Sequence, residues 1–233
     1  MSNSEKYVNA AKEDILDKKE WYSSNYREHG FSPKALGWTK GKQQMRFEIL
    51  TSQYDFNDKS VLDIGCGFGE LNETLKKYQN YSYFGVDLME EFVNEAKNRL
   101  ENEHIKFECC DFLKKDFSET KFDYAILSGT CNLKFTSIDN YDFVESVMSK
   151  TYSLVNDGFA FDFLSNKVDY ELEHAFHFDP AQILSMAYKY SRNVVLRNDY
   201  MPFEFSVFVF KNDDFSKEDT IFSRYKKNYQ AGS

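Results

Sequence analysis

The chain has 233 residues, of which 42% are hydrophobic and 29% charged, so it is long enough for one large domain with a sizeable core. Its formal net charge of −9 argues against a nucleic-acid partner, because phosphate binding depends on positive charge. No apolar run approaches the roughly 20 residues that a membrane-spanning helix needs, and the charged N-terminus lacks the apolar stretch of a signal peptide. We therefore expect a cytoplasmic protein without a nucleic-acid or membrane partner.

Residues that could bind a metal are few and poorly spaced. The chain contains four cysteines with no CxxC pair among them: Cys66, Cys109, Cys110 and Cys131. Their pattern is typical of free thiols in a reducing compartment. His174 and His177 lack the i, i+4 spacing and the glutamate of a zinc-binding helix. We predict no metal site.

Short apolar segments rich in strand formers alternate with helical patterns through the middle of the chain. The predicted strands are Val61–Gly65, Tyr83–Leu88, Ile105–Phe112, Phe122–Gly129 and Gly158–Ser165. Patterns with helical spacing, such as MEEFVNEAKNRL, lie between most of them. This alternation predicts an α/β fold made of βαβ units with a mostly parallel sheet.

The two ends of the chain depart from this alternation. Residues 1–54 are predicted to form an N-terminal helical cap, and residues 55–166 the cofactor-binding core. An insertion is expected at 167–190. Residues 191–233 contain two strand-like segments, NVVLRNDY and FEFSVFVFK, with too few residues between them for a helix, so they predict an antiparallel pair followed by a tail. We interpret the whole chain as a single domain.

The segment SVLDIGCGFGE, at 60–70, takes a predicted strand directly into three glycines spaced two apart. Glycine permits positive φ and lets the backbone approach a ligand closely, and the helix that follows offers free N–H groups. Asp87 ends the second predicted strand, where a carboxylate can accept hydrogen bonds from both hydroxyls of a ribose. A tight turn without a ligand is the alternative, but the aspartate favours a nucleotide-like cofactor at this edge of the sheet.

The glycine spacing differs from the GxGxxG of dinucleotide-binding proteins and resembles motif I of class I S-adenosylmethionine-dependent methyltransferases, (V/L)LD(I/V)GCGxG. The segments YFGVDL, CCDFLK, FDYAILSG and VNDGFAFDF resemble the later motifs of that family, in the same order. The resemblance implies a Rossmann-like, seven-stranded, mostly parallel sheet with an antiparallel C-terminal strand and helices on both faces. It also implies S-adenosylmethionine as the cofactor and S-adenosylhomocysteine as the product.

The resemblance assigns the polar end of the cofactor to the first two strands. Asp63 would meet the methionine ammonium, and the backbone of Gly65 and Gly67 would line the same end. Asp87 would bind the ribose. The alternative for both aspartates is a structural role as caps of a helix or turn.

The adenine and the sulfonium are assigned to the third and fourth strands. Asp111 would accept a hydrogen bond from the adenine amino group, and Leu88 and Phe112 would pack on the ring. Ser128 and Gly129 would face the sulfonium. Alternatively, Asp111 caps the following turn of helix, and Leu88 and Phe112 are core residues.

A finer resemblance links HGFSPKALGWTKGKQQMRF, SGTCN and GFAFDFLSNKVDY to a bacterial subgroup that acts on small molecules. It implies that Trp38, Gln43 and Arg46 cover the cofactor from the N-terminal side. Arg46 could form a bidentate pair with the methionine carboxylate. The alternatives are a core position for Trp38 and a surface ion pair for Arg46.

Candidates for the acceptor site are polar residues near the C-terminal edge of the sheet. Asn132 is the first candidate for contact with the acceptor, and Asp162 and Tyr170 are expected near it. The insertion at 167–190 is expected to lie over this acceptor site. His29 and His177 are candidate general bases, because a hydroxyl or amine acceptor must lose a proton. The alternative for the histidines is a solvated or hydrogen-bonded loop position.

A missing motif argues against one class of acceptor, the amino groups of nucleobases. The chain has no (N/D)PP(Y/F) motif, which marks amino methylation of nucleobases. We predict methyl transfer to O or N of a small polar metabolite, such as a sugar or phosphorylated precursor of a surface polysaccharide, or a secondary metabolite. A protein methyltransferase and an inert S-adenosylmethionine-binding module are the alternatives, and the protein is expected to be a monomer or homodimer.

Overall fold

The computed structural model describes residues 12–37, 42–118 and 120–212. Its centre is a sheet of seven strands. In chain order they are β1 (Ser60–Ile64), β2 (Ser82–Asp87), β3 (Ile105–Cys109), β4 (Phe122–Leu127), β5 (Val155–Leu164), β6 (Val194–Arg197) and β7 (Glu204–Phe210). Their order in the sheet is β3-β2-β1-β4-β5-β7-β6. The first five strands are parallel to one another, whereas β7 is antiparallel to both β5 and β6. The predicted seven-stranded architecture with a reversed C-terminal strand is confirmed.

Helices surround the sheet. They are α1 (Lys12–His29), α2 (Gln43–Leu50), α3 (Leu71–Leu75), α4 (Glu90–Leu100), α5 (Asn140–Leu154) and α6 (Pro180–Ala187), with a short 3₁₀ helix at Thr130–Asn132. Two of them begin at aspartate caps. The Asp139 side chain accepts from the backbone N–H of Tyr141 and Asp142, and Asp179 does the same at the start of α6. These caps satisfy N–H groups that have no partner inside the helix.

The sheet is buried on both faces, which explains why its strands are nearly continuous apolar runs. On one face Leu62 packs with Phe161 and the α5 residue Val147. On the other, Val61 packs with Phe56 and the α4 residue Val93, among others. Residues adjacent in β1 therefore belong to different clusters, as the two-residue period of a strand requires.

Strand order reverses between β1 and its two neighbours, β2 and β4. The connection from β1 leads to β2 on one side, and the chain later returns to place β4 on the other. In open α/β sheets the loops leaving the carboxyl ends of such strands diverge and form a crevice. The glycine turn after β1 lies at this position.

The predicted insertion at 167–190 consists of a loop and helix α6. Its loop bridges to the rest of the fold through Leu133–Ala175 and Ser165–Phe178 pairs. Its place over an acceptor stays a prediction. No helix in the described part of the chain is long and apolar enough to cross a bilayer.

Candidate active site

A cavity lies at the carboxyl ends of β1, β2 and β4, beneath helix α1. It brings together ten of the residues that the sequence assigned to the cofactor: Gln43, Asp63, Gly65, Gly67, Asp87, Leu88, Asp111, Phe112, Ser128 and Gly129. They come from four different strand ends and from α2. Their convergence follows from the parallel strands, which all end at the same edge of the sheet.

The glycine turn leaves no room for side chains at this edge. Gly65 has φ +75° and Gly67 φ +54°, a region that side-chain-bearing residues rarely adopt. A Cβ on Gly65 would lie 2.0 Å from Thr130 Oγ1, and one on Gly67 would lie 3.2 Å from Leu36 Cδ2. The backbone of the turn is therefore the wall of the cavity.

Asp87 is held in place by backbone donors. Its Oδ2 accepts from Gly67 N at 2.8 Å, and its Oδ1 accepts from Met89 N at 2.9 Å. Burial raises the pKa of Asp87, and the hydrogen bonds from Met89 and Gly67 oppose that rise. A carboxylate has about four acceptor positions, so each oxygen retains a lone pair for a ligand hydroxyl.

Asp63 lies at the end of β1 and is 4% exposed. Its Oδ2 accepts from the Tyr83 hydroxyl at 2.6 Å, and no described residue donates to Oδ1. Burial raises the pKa of Asp63 to about 7; the Tyr83 hydrogen bond lowers it, and the nearby Asp87 raises it. A cation in the cavity would stabilise the ionised form of Asp63 and lower its pKa.

The Ser128–Gly129 turn after β4 is fixed from below by the buried Asp162 on β5. Asp162 accepts from Ser128 Oγ at 2.6 Å and from Gly129 N at 2.6 Å. Burial raises the pKa of Asp162, whereas the charge of Arg46 and these hydrogen bonds lower it. The Ser128 hydroxyl is thus already engaged, and Asp162 positions the turn rather than lining the cavity.

The adenine-side candidates have structural roles as well. Asp111 Oδ1 accepts from Leu113 N at 3.0 Å, and its backbone carbonyl accepts from Lys114 and Lys115, so it caps a single turn. Phe112 is buried, with the Lys150 ammonium 5.2 Å from its ring centroid. Asp111 therefore caps a turn and Phe112 is a core residue, and both also line the cavity.

Helix α1 closes the cavity from above and is attached at its N-terminal end through Asp14. The Asp14 carboxylate accepts four hydrogen bonds, from the backbone N–H and hydroxyl groups of Thr136 and Ser137, at 2.5–2.9 Å. Burial raises the pKa of Asp14, but the hydrogen bonds outweigh it and lower the pKa to about 2. The attachment is therefore fully charged at neutral pH.

The other end of α1 is attached by aromatic packing. Tyr22 and Tyr26 both contact Phe92 edge-on, with ring centroids 5.8 and 5.9 Å away. Ser23 Oγ donates to Glu91 Oε1 at 2.9 Å. Because α1 is held at both ends, its middle turns form a roof over the cavity.

Two residues of the predicted N-terminal cover lie in the described part of the chain. Gln43 lines the cavity. The Arg46 guanidinium is buried and forms a two-point ion pair with Glu204 on β7, so it does not reach the cavity wall. Its pairing with a cofactor carboxylate stays a prediction that this geometry does not support. Trp38 lies outside the described residues.

The structure does not bring the four predicted catalytic residues to the cavity wall. Asn132 Oδ1 accepts from Leu164 N at 2.8 Å. His177 Nδ1 donates to the Ser165 carbonyl at 2.8 Å, and its Nε2 accepts from Leu172 N at 3.0 Å.

The remaining two predicted catalytic residues are exposed. Tyr170 is 69% exposed, and His29 lies at the surface end of α1 beside Glu28. The catalytic roles of all four residues, including Asn132 and His177, stay predictions without geometric support.

The main residues that sequence reasoning missed belong to α1. Ile15, Lys18, Lys19 and Tyr22 all line the cavity. Their spacing of three to four residues was the available signal, since it places them on one helical face. The partner of that face could not be deduced, because Asp14 and Thr136 are 122 positions apart in the sequence.

Comparison with known proteins agrees with this geometry. Residues 61–158, from β1 into β5, match a family model described as a methyltransferase domain. The core of the chain, from β1 into β5, is therefore a methyltransferase domain of the class I S-adenosylmethionine-dependent type. S-adenosylmethionine is accordingly the cofactor of this methyltransferase.

Individual relatives are distant. The Mycobacterium tuberculosis protein named "Putative methyltransferase Rv1506c" is 27% identical over 158 residues, which cover 65% of this chain and 93% of that protein. The ubiquinone biosynthesis O-methyltransferase of Coxiella burnetii is 37% identical over 76 residues, covering 31% of this chain and 32% of that enzyme. Magnesium protoporphyrin IX methyltransferase from Synechocystis PCC 6803, solved with bound S-adenosylmethionine, is 14% identical. It superposes with a TM-score of 0.56 over 91% of this chain and 98% of that one. At that identity the likeness shows the fold.

The residues of the methyltransferase cavity fit S-adenosylmethionine. A glycine turn without side chains leaves room for the methionine end, Asp63 presents an oxygen with no described donor, and Asp87 presents two acceptors for ribose hydroxyls. Leu88 and Phe112 also line the cavity and would offer apolar surface to the adenine. When bound, the cofactor supplies a methyl group on a sulfonium, which is already activated toward a nucleophile. The protein has to hold this group and align the acceptor with it.

Asp63 should make cofactor binding depend on pH. Its pKa of about 7 means that it is largely protonated at pH 5.5, whereas pairing with the methionine ammonium requires the ionised form. Binding should therefore release a proton below pH 7, and the affinity should fall by roughly tenfold per pH unit as the pH drops. Calorimetric titration between pH 5.5 and 7, in buffers of different ionisation enthalpy, measures both effects.

The Asp63→Asn variant is the matched control for this titration. It keeps the shape of the side chain but cannot ionise, so it should bind more weakly and without proton release at every pH. Equal affinity of the unaltered protein at pH 5.5 and pH 7 would contradict the assignment of Asp63 to the ammonium.

Among the described residues, no group of three or more histidine, cysteine, aspartate or glutamate side chains could hold a metal ion. The described cysteines form no disulfide.

Proposed function

We propose that this methyltransferase transfers the methyl group of S-adenosylmethionine to an oxygen or nitrogen of a small molecule. The observation that carries the proposal is the position of α1, whose residues Ile15, Lys18, Lys19 and Tyr22 roof the cavity. A helix held across the cavity at both ends favours a small acceptor over a polypeptide or nucleic-acid segment.

The sugar-like or phosphorylated acceptor expected from the subgroup resemblance is one form of this proposal. It rests on that resemblance alone. The cavity wall favours a less polar molecule, because most side chains beyond the cofactor residues are apolar. A cytoplasmic location and a monomeric or homodimeric state likewise stay predictions.

The test has two stages. Calorimetric titration with S-adenosylmethionine and S-adenosylhomocysteine should show binding of both. Release of S-adenosylhomocysteine is then measured with the low-molecular-mass fraction and the protein fraction of a bacterial extract. We expect turnover with the first fraction only.

Each other outcome identifies an alternative. Turnover with the protein fraction alone would indicate a protein methyltransferase. Cofactor binding without turnover in either fraction would favour an inert binding module, since a fold does not determine a reaction.

A further inference from the structure

The cavity continues past the cofactor residues, between α1 and the segment that follows β4. Its wall there consists of apolar side chains, namely Ile15, Leu133, Phe135, Ile138 and Phe143. The rings of Phe135 and Phe143 pack against each other with centroids 4.7 Å apart. Hydroxyl groups of a sugar would find no hydrogen-bonding side chain on this wall, and a polar group buried without a partner is costly. The wall suits an apolar molecular body.

Two lysines bring positive charge to this otherwise apolar region. Lys18 and Lys19 both line the cavity and are half-buried, and neither forms an ion pair with a described residue. The charge of Lys19 acts toward the ribose side, where it lowers the pKa of Asp87. Lys18 lies one helical turn after Asp14, whose carboxylate binds the segment carrying Phe135 and Ile138. Lys18 therefore lies on the helical face that meets the segment carrying the apolar wall, and it lines the cavity there.

Among the described residues, the side chains of this region include no histidine or uncommitted carboxylate that could serve as a general base. No histidine is among the described residues that line the cavity, and its carboxylates are those assigned to the cofactor. Burial, followed by the charge of Glu108, raises the pKa of the Cys110 thiol to about 11. Burial, together with Asp87, also raises the pKa of Tyr22. An acceptor that has to lose a proton would find no histidine or uncommitted carboxylate among the described lining residues, whereas an ionised carboxylate has no proton to lose.

We propose that the acceptor is an amphipathic carboxylic acid, with its apolar body against the Phe135–Phe143 wall and its carboxylate near Lys18, and that the product is its methyl ester. The inference rests on the proposed function and specifies its acceptor. In the step, one carboxylate oxygen bonds to the methyl carbon while the methyl–sulfur bond breaks and its electron pair stays on sulfur. The carboxylate and the sulfonium both become neutral, and no proton is transferred.

An apolar cavity is suited to this step for a physical reason. Two opposite charges disappear as the bond forms, so a poorly solvating environment disfavours the separated ions more than the transition state. An amine acceptor would instead leave a cation in the cavity, beside two lysine ammonium groups that repel it. The lysine contacts one end of the carboxylate as a donor, which orients the other oxygen toward the methyl group.

The test uses the whole protein saturated with S-adenosylhomocysteine, so that acceptor binding is measured without turnover. The probes are octanoate and 4-phenylbutanoate, with 1-octanol, octylamine and glucose 6-phosphate as comparisons. We expect the two acids to bind at least tenfold more tightly than the three comparison compounds. With S-adenosylmethionine in place of the product, mass spectrometry should detect the methyl ester of a bound acid.

Two variants separate the role of Lys18 from general damage to the helix. Lys18→Met keeps the length of the side chain and should weaken binding of both acids at least tenfold, while the affinity for S-adenosylhomocysteine and for octanol stays unchanged. Lys12→Met removes an exposed lysine at the start of the same helix and should change none of these values.

The outcomes distinguish this inference from the proposed function. Failure to bind S-adenosylmethionine would overturn the proposed function itself. Two results would overturn the carboxylate acceptor alone, provided that the cofactor binds. One is that octylamine or glucose 6-phosphate binds as tightly as the acids or more tightly. The other is that Lys18→Met binds the acids as tightly as the unaltered protein or more tightly.

Discussion

Replacing Asp87 with alanine should weaken S-adenosylmethionine binding by about a hundredfold or more. The complex would lose two hydrogen bonds that the ribose hydroxyls donate to the Asp87 carboxylate, each worth about 1.5–3 kcal/mol because the acceptor is charged. The backbone N–H groups of Gly67 and Met89 would lose their acceptor as well, so the glycine turn would be less ordered before the cofactor binds. Calorimetric titration with S-adenosylhomocysteine gives the dissociation constants.

Asp157→Ala is the matched control for the Asp87 experiment. Asp157 lies near the opposite end of the sheet, where it forms an ion pair with Lys59. Its removal takes away the same chemical group without touching the cavity, so cofactor affinity should stay within about twofold of the unaltered protein, as expected of distant sites. If Asp87→Ala and Asp157→Ala bind equally well, the placement of the ribose at Asp87 is wrong.

Replacing Arg46 with methionine should lower the free energy of unfolding by about 3–5 kcal/mol, because it leaves a buried ion pair broken. Arg46 is 8% exposed and its partner Glu204 is 2% exposed. Asp162 is also buried, and the Arg46 charge stabilises its ionised form. Without the guanidinium, two buried carboxylates would have no cation, and the melting temperature should fall by roughly 10 °C for a chain of this size.

Two companion variants test whether the loss comes from unpaired charge. Glu204→Gln should cost less than Arg46→Met, since Arg46 keeps its attraction to Asp162. The double variant Arg46→Met/Glu204→Met should be more stable than Arg46→Met alone, because an apolar pair of similar volume leaves one fewer buried charge. Urea unfolding curves of the unaltered protein and the three variants measure these differences in stability.

An exposed ion pair provides the control for stability. Glu73 lies on α3 and is 52% exposed, and its partner Lys76 follows the helix and is 61% exposed. Lys76→Met should change the free energy of unfolding by less than about 1 kcal/mol. Should Arg46→Met prove as stable as Lys76→Met, Arg46 would not be the charge that holds this part of the interior together.

The Arg46 and Asp162 results bear on function through the Ser128–Gly129 turn. Asp162 fixes that turn with two hydrogen bonds, and the turn lines the cavity. Arg46 thus supports the site from the interior through the effect of its charge on Asp162. The GW…RF pattern predicted Arg46 as a cofactor residue. Its side chain instead pairs with Glu204 on β7.

Most of the residues assigned to the cofactor come from local patterns at the ends of strands, and the structure brings ten of the assigned residues to one cavity. Their contact with the cofactor stays a prediction. The glycines after β1 meet the backbone geometry of the turn. The aspartates of β1 and β2 are expected to meet the ammonium and the ribose of the cofactor, and these too are local requirements. Parallel strands then bring these ends together whatever the loops contain. The sequence also determined the reversed C-terminal strand, because too few residues separate β6 from β7 for a helical crossover.

The acceptor side was decided by tertiary structure alone. Asn132 and His177 were expected at the site because they are polar and lie beyond strand ends, yet their hydrogen bonds go to Leu164 and to Leu172 and Ser165. The residues that do line this part of the cavity come from α1 and from the segment after β4, joined by Asp14. Contacts between segments more than a hundred positions apart leave no local pattern, since only the packed fold determines which polar groups are used to satisfy backbone donors and which side chains face the cavity.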